Sequence, residues 1–168
     1  RRAPSATQTR RSDPLALSVR FLDEQRGFPA DPAERELLGH ALDDAHRDGV
    51  VDLPGGESLE VTNLHKLFWP ALKLTKGDLF RYYAQVSPAI LPVLTDRPLV
   101  MKRFPNGVDA KPFYQHRAEK VPPGVRSEPV ASDDKRPQLI GGTLQTLLYT
   151  CQLAAISQDP WFSRVQSP

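Results

Sequence analysis

The side chains with the clearest chemical potential are the lysines and arginines in the middle of the chain. Residues 62–136 hold 13 Lys and Arg against 7 Asp and Glu, whereas residues 1–61 hold 8 against 12. Aromatic residues lie among the basic ones, and each phosphate that a Lys or Arg neutralises on a nucleic acid releases condensed counterions. The middle section therefore favours a polyanionic partner, with a solvated basic face as the alternative.

The rest of the composition narrows the class of protein. Cys151 is the single cysteine, so no internal disulfide can form, and four scattered histidines without cysteine partners do not make a zinc finger or ribbon. The 168 residues contain no apolar run of membrane-spanning length and no signal-peptide core, which predicts a cytoplasmic protein without a membrane partner. Seventeen prolines predict short elements joined by stiff turns.

The elements that must position the basic side chains begin after an irregular first segment. Residues 1–30 predict a basic flexible arm or linker, because arginines lie among Ser, Thr and Pro without an apolar period. A helix is predicted at 32–48, with Asp31 as its N-cap. Val50–Leu53 and Ser58–Val61 flank a Pro-Gly-Gly-Glu turn and predict a hairpin.

A second helix is predicted to begin at its N-cap Thr75, to break or re-nucleate at Pro88 and to end near Leu94. Two strands, a third helix capped by Thr143 and a short buried strand follow, at Arg97–Phe104, Phe113–Arg117, Thr143–Leu153 and Ala154–Ser157. The mixture predicts an α/β or α+β domain.

Three strings are more specific than the composition. They are Thr62–Pro70 with Leu74–Asp78, Arg97–Pro98 with Met101–Asp109, and Phe113–His116. In this order and spacing they closely resemble the polymerase domain of bacterial DNA ligase D, a member of the archaeo-eukaryotic primase superfamily that serves non-homologous end joining. The resemblance covers about residues 59–168, and it leaves residues 31–58 as a helix and hairpin extension.

The resemblance implies an α+β, primase-polymerase-like fold with a mixed sheet and flanking helices, of which this chain holds the N-terminal portion. It also implies that Asn63, Lys66 and Lys76 form a pocket for the 5'-phosphate at the far side of a DNA gap. Two ammonium groups and an amide can surround a terminal phosphate, and Lys76 lies at the start of a helix whose dipole favours an anion. The alternative is that both lysines are ordinary solvent-facing residues.

Phe113 and Tyr114 match the family's paired aromatic residues. One ring is expected to stack on a template base and the other to pack inward, since neighbouring strand residues point to opposite faces. The alternative is that both are core residues. Lys102 and Arg103 are adjacent on the preceding strand, so at most one of them is expected to face the template or the incoming nucleotide.

Asp159 stands where many relatives have a histidine just before Pro-Trp, and the resemblance implies that this histidine holds the incoming nucleotide. A carboxylate does not bind a triphosphate in the same way without a bridging metal. Asp159 is therefore either a nucleotide-side residue or a simple turn or helix-cap residue.

The chain lacks the Asp-x-Asp pair with which the family's two-metal carboxylate cluster begins. Asp43-Asp44 and Asp133-Asp134 are adjacent pairs and are not plausible substitutes. We therefore expect no metal, cofactor or catalytic residue in this chain, no polymerisation by it alone, and continuation of the protein beyond Pro168. The complete domain is expected to use Mn²⁺ or Mg²⁺.

The resemblance implies that the partners are gapped or recessed DNA ends carrying a 5'-phosphate, with NTP or dNTP in the complete domain and Ku and a ligase domain as further partners, at the bacterial nucleoid. A different class of function is a non-catalytic, stand-alone module that binds 5'-phosphorylated DNA ends and recruits a polymerase or ligase. A third is a protein-interaction domain with an incidental basic face.

Overall fold

The computed structural model describes residues 48–53, 56–118, 120–130 and 135–166. The basic arm, the helix predicted at 32–48 up to residue 47, and both Asp-Asp pairs lie outside these residues. Over the described part, no helix is both long enough and apolar enough to cross a membrane.

The chain enters the fold through the predicted hairpin. Strands β1 (Gly49–Asp52) and β2 (Ser58–Val61) pair antiparallel, with Val51 opposite Leu59. The alternation of side chains buries Val51, Leu59 and Val61 almost completely and leaves their neighbours exposed. This hairpin is therefore part of the core, and it crosses the boundary between residues 58 and 59 at which the sequence resemblance begins.

A small antiparallel pair follows. Strand β3 (Leu67–Trp69) leads through the 3₁₀ turn Pro70–Leu72 into β4 (Leu74–Thr75), which runs directly into helix α1 (Lys76–Leu94). Thr75 caps the helix as predicted. Its hydroxyl accepts from the Asp78 amide while the Asp78 carboxylate accepts from the Thr75 amide, which is a complete capping box.

Helix α1 does not break at Pro88. It continues through Pro88 and Pro92 to Leu94, so the predicted interruption is wrong. A proline lacks the N–H that would bond the carbonyl four residues earlier, which for Pro88 is that of Ala84. The hydroxyl of Ser87, a buried residue, donates to this carbonyl at 2.8 Å. The side chain thus replaces the missing backbone donor and the helix is preserved.

Three strands form the central sheet: β5 (Leu99–Arg103), β6 (Phe113–Gln115) and β9 (Ala155–Pro160). Their order in the sheet is β6-β5-β9. Strands β7 (Ser127–Glu128) and β8 (Gln138–Leu139) form a further pair, and α2 (Leu144–Gln152), capped by Thr143, packs on α1. All pairings between described strands are antiparallel, so the mixed arrangement is not seen among them.

The core lies between the two helices and the inner faces of the sheets. Phe68, Phe80, Leu99, Met101 and Leu148 are each about 1% exposed or less. The described part is thus an α+β fold of two helices and small sheets, in agreement with the predicted class. The turn between β2 and β3, the start of α1, the end of β5 and the end of α2 meet around one cavity.

Candidate nucleic-acid interface

One cavity, of about 220 Å³, brings together basic and polar side chains from four separate parts of the chain. Three cationic side chains line it, those of Lys66, Lys76 and Arg103, together with the amide side chain of Asn63. The other lining residues are Thr62, Phe68, Pro105, Gln152, Leu153 and Ala154. The three residues that the sequence assigned to a phosphate pocket therefore lie together, and Arg103 joins them.

Asn63 and Lys66 are the two ends of one tight turn. The Lys66 amide donates to the Asn63 carbonyl at 3.0 Å, and Asn63 has φ +59°. Asparagine is among the few residues that adopt this left-handed conformation readily. Its side-chain Nδ2 donates to the Thr62 hydroxyl at 3.3 Å. The turn therefore holds the Asn63 side chain and the Lys66 side chain at the same cavity.

The Lys66 ammonium contacts the turn that follows β5. Its Nζ donates to the Pro105 carbonyl and lies 3.5 Å from Asn106 Oδ1. This turn approaches β3 closely at Gly107, where a Cβ atom would lie 3.2 Å from the Phe68 carbonyl oxygen and where φ is +87°. Glycine is required here, and it lets the β5–β6 loop form one wall of the cavity.

Lys76 is buried, with 4% of its surface exposed. Its Nζ donates at 2.7 Å to the Thr62 carbonyl and at 2.7 Å to Gln152 Oε1. Burial lowers the pKa of this lysine from 10.5 to about 8, and the positive charges of Lys66 and Arg103 act in the same direction. The alternative of an ordinary solvent-facing lysine is thus wrong for Lys76.

The N-terminus of α1 does not offer free amides to a ligand. The Lys76 amide donates to the Lys66 carbonyl at 2.8 Å and the Gly77 amide donates to the Leu64 carbonyl at 2.8 Å. The Asp78 amide is taken by the Thr75 hydroxyl. The helix therefore favours an anion only through its dipole, and its first amides fix the Asn63–Lys66 turn instead.

Arg103 lies on the cavity side of the end of β5. Its guanidinium donates to the Leu153 carbonyl and, at 2.6 Å, to Gln115 Oε1, and it stacks 5.2 Å from the Phe113 ring centroid. Lys102 points the other way, with Nζ 5.8 Å from the Tyr114 ring centroid. The prediction that these two residues point to opposite faces is confirmed, and Arg103 is the one that lines the cavity.

Phe113 and Tyr114 are 45% and 58% exposed. The prediction that one of the rings packs inward is wrong, and so is the alternative that both belong to the core. Strand β6 is a three-residue strand at the edge of the described sheet, and both rings remain partly open to solvent. Alternation still separates the rings: Phe113 pairs with Arg103 beside the cavity, and Tyr114 pairs with Lys102 on the opposite face.

Asp159 lies within strand β9, opposite Val100, and its side chain is exposed. It is therefore neither a turn residue nor a helix cap. Because Ser157 pairs with Lys102, the alternation of β9 places Asp159 on the same sheet face as Lys102 and Tyr114. Asp159 is not among the residues that line the cavity.

Nothing in the described ranges forms a group of three or more His, Cys, Asp or Glu side chains able to hold a metal ion. The donors of this part of the domain do not fit a two-metal centre, which needs several convergent carboxylates. No catalytic step is therefore assigned to these residues.

Two residues that sequence reasoning gave no role hold the cavity together. Gln152 accepts from the Thr62 amide at 3.1 Å and from Lys76, and its Nε2 donates to the Thr62 hydroxyl at 2.8 Å. Asp48 accepts from the amides of Asn63 and Leu64. No spacing rule links either residue to the Asn63–Lys66 turn, because the contacts are tertiary.

The fold and part of the sequence match known proteins. The polymerase domain of Mycobacterium tuberculosis ligase D in complex with DNA superimposes with a TM-score of 0.59 and 32% identity, over 63% of this chain and 38% of that chain. The multifunctional non-homologous end joining DNA repair protein LigD of M. tuberculosis is 38% identical over 45% of this chain and 10% of its own length.

A more distant relative matches over a longer stretch. The bifunctional non-homologous end joining protein LigD of Bacillus subtilis is 28% identical over 68% of this chain and 18% of its own length. The chain thus spans less than a fifth of these curated relatives. The family model for the LigD primase-polymerase domain matches residues 75–168, from the cap of α1 to the last residue. This match covers more than half of the sequence, and the chain accordingly belongs to the LigD primase-polymerase domain family.

Proposed function

We propose that this part of the domain binds DNA ends by holding a 5'-phosphate in the cavity formed by Asn63, Lys66, Lys76 and Arg103. The observation that carries the proposal is the convergence of three cationic side chains on one cavity, with Lys76 buried. Like charges in contact disfavour one another, and a buried ammonium costs free energy unless it is compensated. A dianionic ligand would relieve both costs.

The chemistry of the cavity suits a terminal phosphate. Two of the three ammonium protons of Lys76 are bound by oxygen acceptors in the described structure, which leaves one for a ligand. Asn63 adds an amide donor and Arg103 adds a planar guanidinium. A 5'-hydroxyl has no charge to satisfy these groups, so the cavity would favour 5'-phosphorylated ends.

The exposed rings of Phe113 and Tyr114 suggest a path for the DNA across this surface. Phe113 lies beside the cavity, next to Arg103, and an exposed ring accepts any base by stacking. Tyr114, Lys102 and Asp159 share the other face, which would suit the template or nucleotide side. Support for DNA as the partner comes from the ligase D polymerase domain, whose matching structure is a complex with DNA.

For the complete domain we propose template-directed nucleotide addition in end joining, with NTP or dNTP, Mn²⁺ or Mg²⁺, and Ku and a ligase domain as partners. The described residues contribute end binding, and the metal-binding carboxylates are not among them.

The test is the affinity of the 168-residue chain for gapped duplex DNA with a 5'-phosphate or a 5'-hydroxyl, measured by fluorescence anisotropy at one salt concentration. We expect tighter binding to the phosphate. Lys66→Ala should narrow the preference about tenfold or more, because a charge-assisted contact contributes about 1.5 to 3 kcal/mol. Lys111→Ala, which removes an exposed charge outside the cavity, should lower both affinities to a similar extent.

Equal affinity of the unmutated chain for the two ends would refute the phosphate cavity. DNA binding without end preference would then favour a general basic face, and no DNA binding would favour a protein-interaction domain.

A further inference from the structure

Asp48 connects the start of the hairpin to the turn that bears Asn63 and Lys66. Its Oδ2 accepts from the Asn63 amide at 2.7 Å and its Oδ1 accepts from the Leu64 amide at 2.9 Å. Both carboxylate oxygens are therefore used by two successive backbone donors. The hydrogen bonds from Leu64 and then Asn63 hold the pKa of this carboxyl below its usual range, so it stays ionised.

The contact fixes a turn that contains one left-handed residue. Asn63 is left-handed, and the carbonyls of Leu64 and Lys66 accept the first amides of α1. These bonds hold the exit of the turn. At the entry of the turn, the Asp48 carboxylate accepts from the amides of Asn63 and Leu64. Without this carboxylate the amides of Asn63 and Leu64 would turn to water, and the orientation of the Asn63 and Lys66 side chains would be less fixed.

Asp48 also acts on the buried lysine through its charge. It is the largest influence that raises the pKa of Lys76, against the desolvation that lowers it. The other charged groups that act on this ammonium are the cations Lys66 and Arg103, which lower its pKa. The buried Cys151 stays a neutral thiol, because burial raises its pKa. His65 is exposed and does not line the cavity, and its charge contributes to lowering the pKa of Asp48.

Asp48 is not among the described residues that line the cavity. We propose that it is a positioning residue for the phosphate cavity: its carboxylate sets the conformation of the Asn63–Lys66 turn, which carries two of the side chains that line the cavity. Its negative charge also favours the protonated form of Lys76. This inference rests on the proposed function. It assigns part of the cavity's selectivity to a residue that precedes the first strand and that a bound phosphate would not touch.

The experiment compares Asp48→Ala, Asp48→Asn and the control Asp52→Asn in the full chain. Asp52 is an exposed acid on the same hairpin. Affinities for gapped DNA with 5'-phosphate and 5'-hydroxyl ends are measured from pH 6.5 to 9.0, with thermal unfolding as a check of folding. We expect Asp48→Ala to lower the ratio of the two affinities about fivefold or more, with the 5'-hydroxyl affinity changed less than about twofold.

Asp48→Asn separates geometry from charge, because it keeps one accepting oxygen and loses the charge. It should retain more of the preference than Asp48→Ala at pH 6.5 and lose it at a lower pH than the unmutated chain does. Asp52→Asn should match the unmutated chain at each pH. If Asp48→Ala does not fold, the affinity ratio of Asp48→Asn and its pH profile test the positioning role of Asp48.

An unchanged ratio and an unchanged pH profile in the Asp48 variants, with a clear preference in the unmutated chain, would overturn this inference and leave the proposed function standing. A parallel fall in both affinities would do the same, since it indicates a structural role alone. If the unmutated chain itself shows no preference, the proposed function fails and this inference falls with it.

Discussion

At the scale of single residues, Lys76 is the most informative side chain. A lysine that is 4% exposed is rare, and its two hydrogen-bonding partners are a backbone carbonyl and an amide oxygen, neither of which carries a charge. Replacing a buried charged side chain with an apolar one of similar volume is often neutral or stabilising. Its presence beside Lys66 and Arg103 is therefore explained better by a ligand than by the fold.

The pH dependence of stability tests the burial of this charge. The pKa of Lys76 is about 8 in the folded chain and 10.5 ordinarily, so between these values the unfolded chain binds a proton that the folded chain has released. The contribution of Lys76 to the free energy of unfolding therefore rises from pH 8 to 10.5, and the full cost of burial is present below pH 8. Lys76→Met should stabilise the chain most at pH 7.

Urea unfolding of both proteins at several pH values measures this difference. The advantage of Lys76→Met should shrink between pH 8 and 10.5, and an advantage that stays constant across this range would contradict a buried ammonium. The preference of the unmutated chain for DNA with a 5'-phosphate should fall as the pH rises through about 8, because the neutral Lys76 amine no longer attracts the phosphate.

Replacing Phe113 or Tyr114 should affect binding to different parts of the DNA, and neither change should alter the stability of the fold much. Phe113→Ala should weaken binding to gapped, 5'-phosphorylated DNA by about 1 to 3 kcal/mol, because the ring lies beside the cavity. Tyr114→Ala should weaken binding to DNA whose template strand extends beyond the gap. Both variants should unfold at nearly the unmutated temperature, since both rings are exposed. A large loss of stability without a change in affinity would restore the core assignment.

The sequence indicated the cavity residues Asn63, Lys66 and Lys76 because they lie within one short string with a family pattern. It could not place Arg103 in the cavity, since strand alternation says only that Lys102 and Arg103 diverge and not which face each takes. Whether a side chain of β6 is buried depends on which distant parts of the chain pack against the strand. This is why the inward ring was predicted wrongly.

At the scale of elements, local signals succeeded where the physics is local. The Thr75 and Thr143 caps were readable because a helix cap needs only about four residues. The rule for a proline inside a helix failed at Pro88, because the Ser87 hydroxyl satisfies the Ala84 carbonyl. A sequence rule that considers the proline alone does not include this compensation.

This compensation is measurable as a double-mutant cycle. Ser87→Ala should cost about 1 to 2 kcal/mol in the chain with Pro88, because the Ala84 carbonyl loses its donor. In a chain with Pro88→Ala, the new backbone N–H can bond that carbonyl, so the same Ser87→Ala change should cost clearly less. Thermal or urea unfolding of the four proteins gives the coupling. Equal costs in both backgrounds would mean that the Ser87 hydroxyl does not replace the missing N–H.

At the scale of the whole molecule, the acidic first section and the basic middle section are joined at the Asn63–Lys66 turn. The acidic first section contributes Asp48 to the described fold, and the basic middle section contributes the three cations of the cavity. The resemblance began at about residue 59, yet β1 precedes that point and pairs with β2 along its whole length. A family pattern shows where sequences agree, whereas burial shows where the fold begins.

The hairpin should therefore be required for stability. We expect a chain of residues 59–168 to be much less stable than a chain of residues 48–168. The shorter chain loses the burial of Val51 and Leu53, worth about 1.5 to 3 kcal/mol each, and exposes Leu59 and Val61 on an unpaired strand. It also loses Asp48, so any remaining DNA binding should show a weaker preference for the 5'-phosphate. Circular dichroism during heating and anisotropy with the two DNA ends measure these effects, and equal unfolding temperatures for the two chains would show that the fold begins at β2.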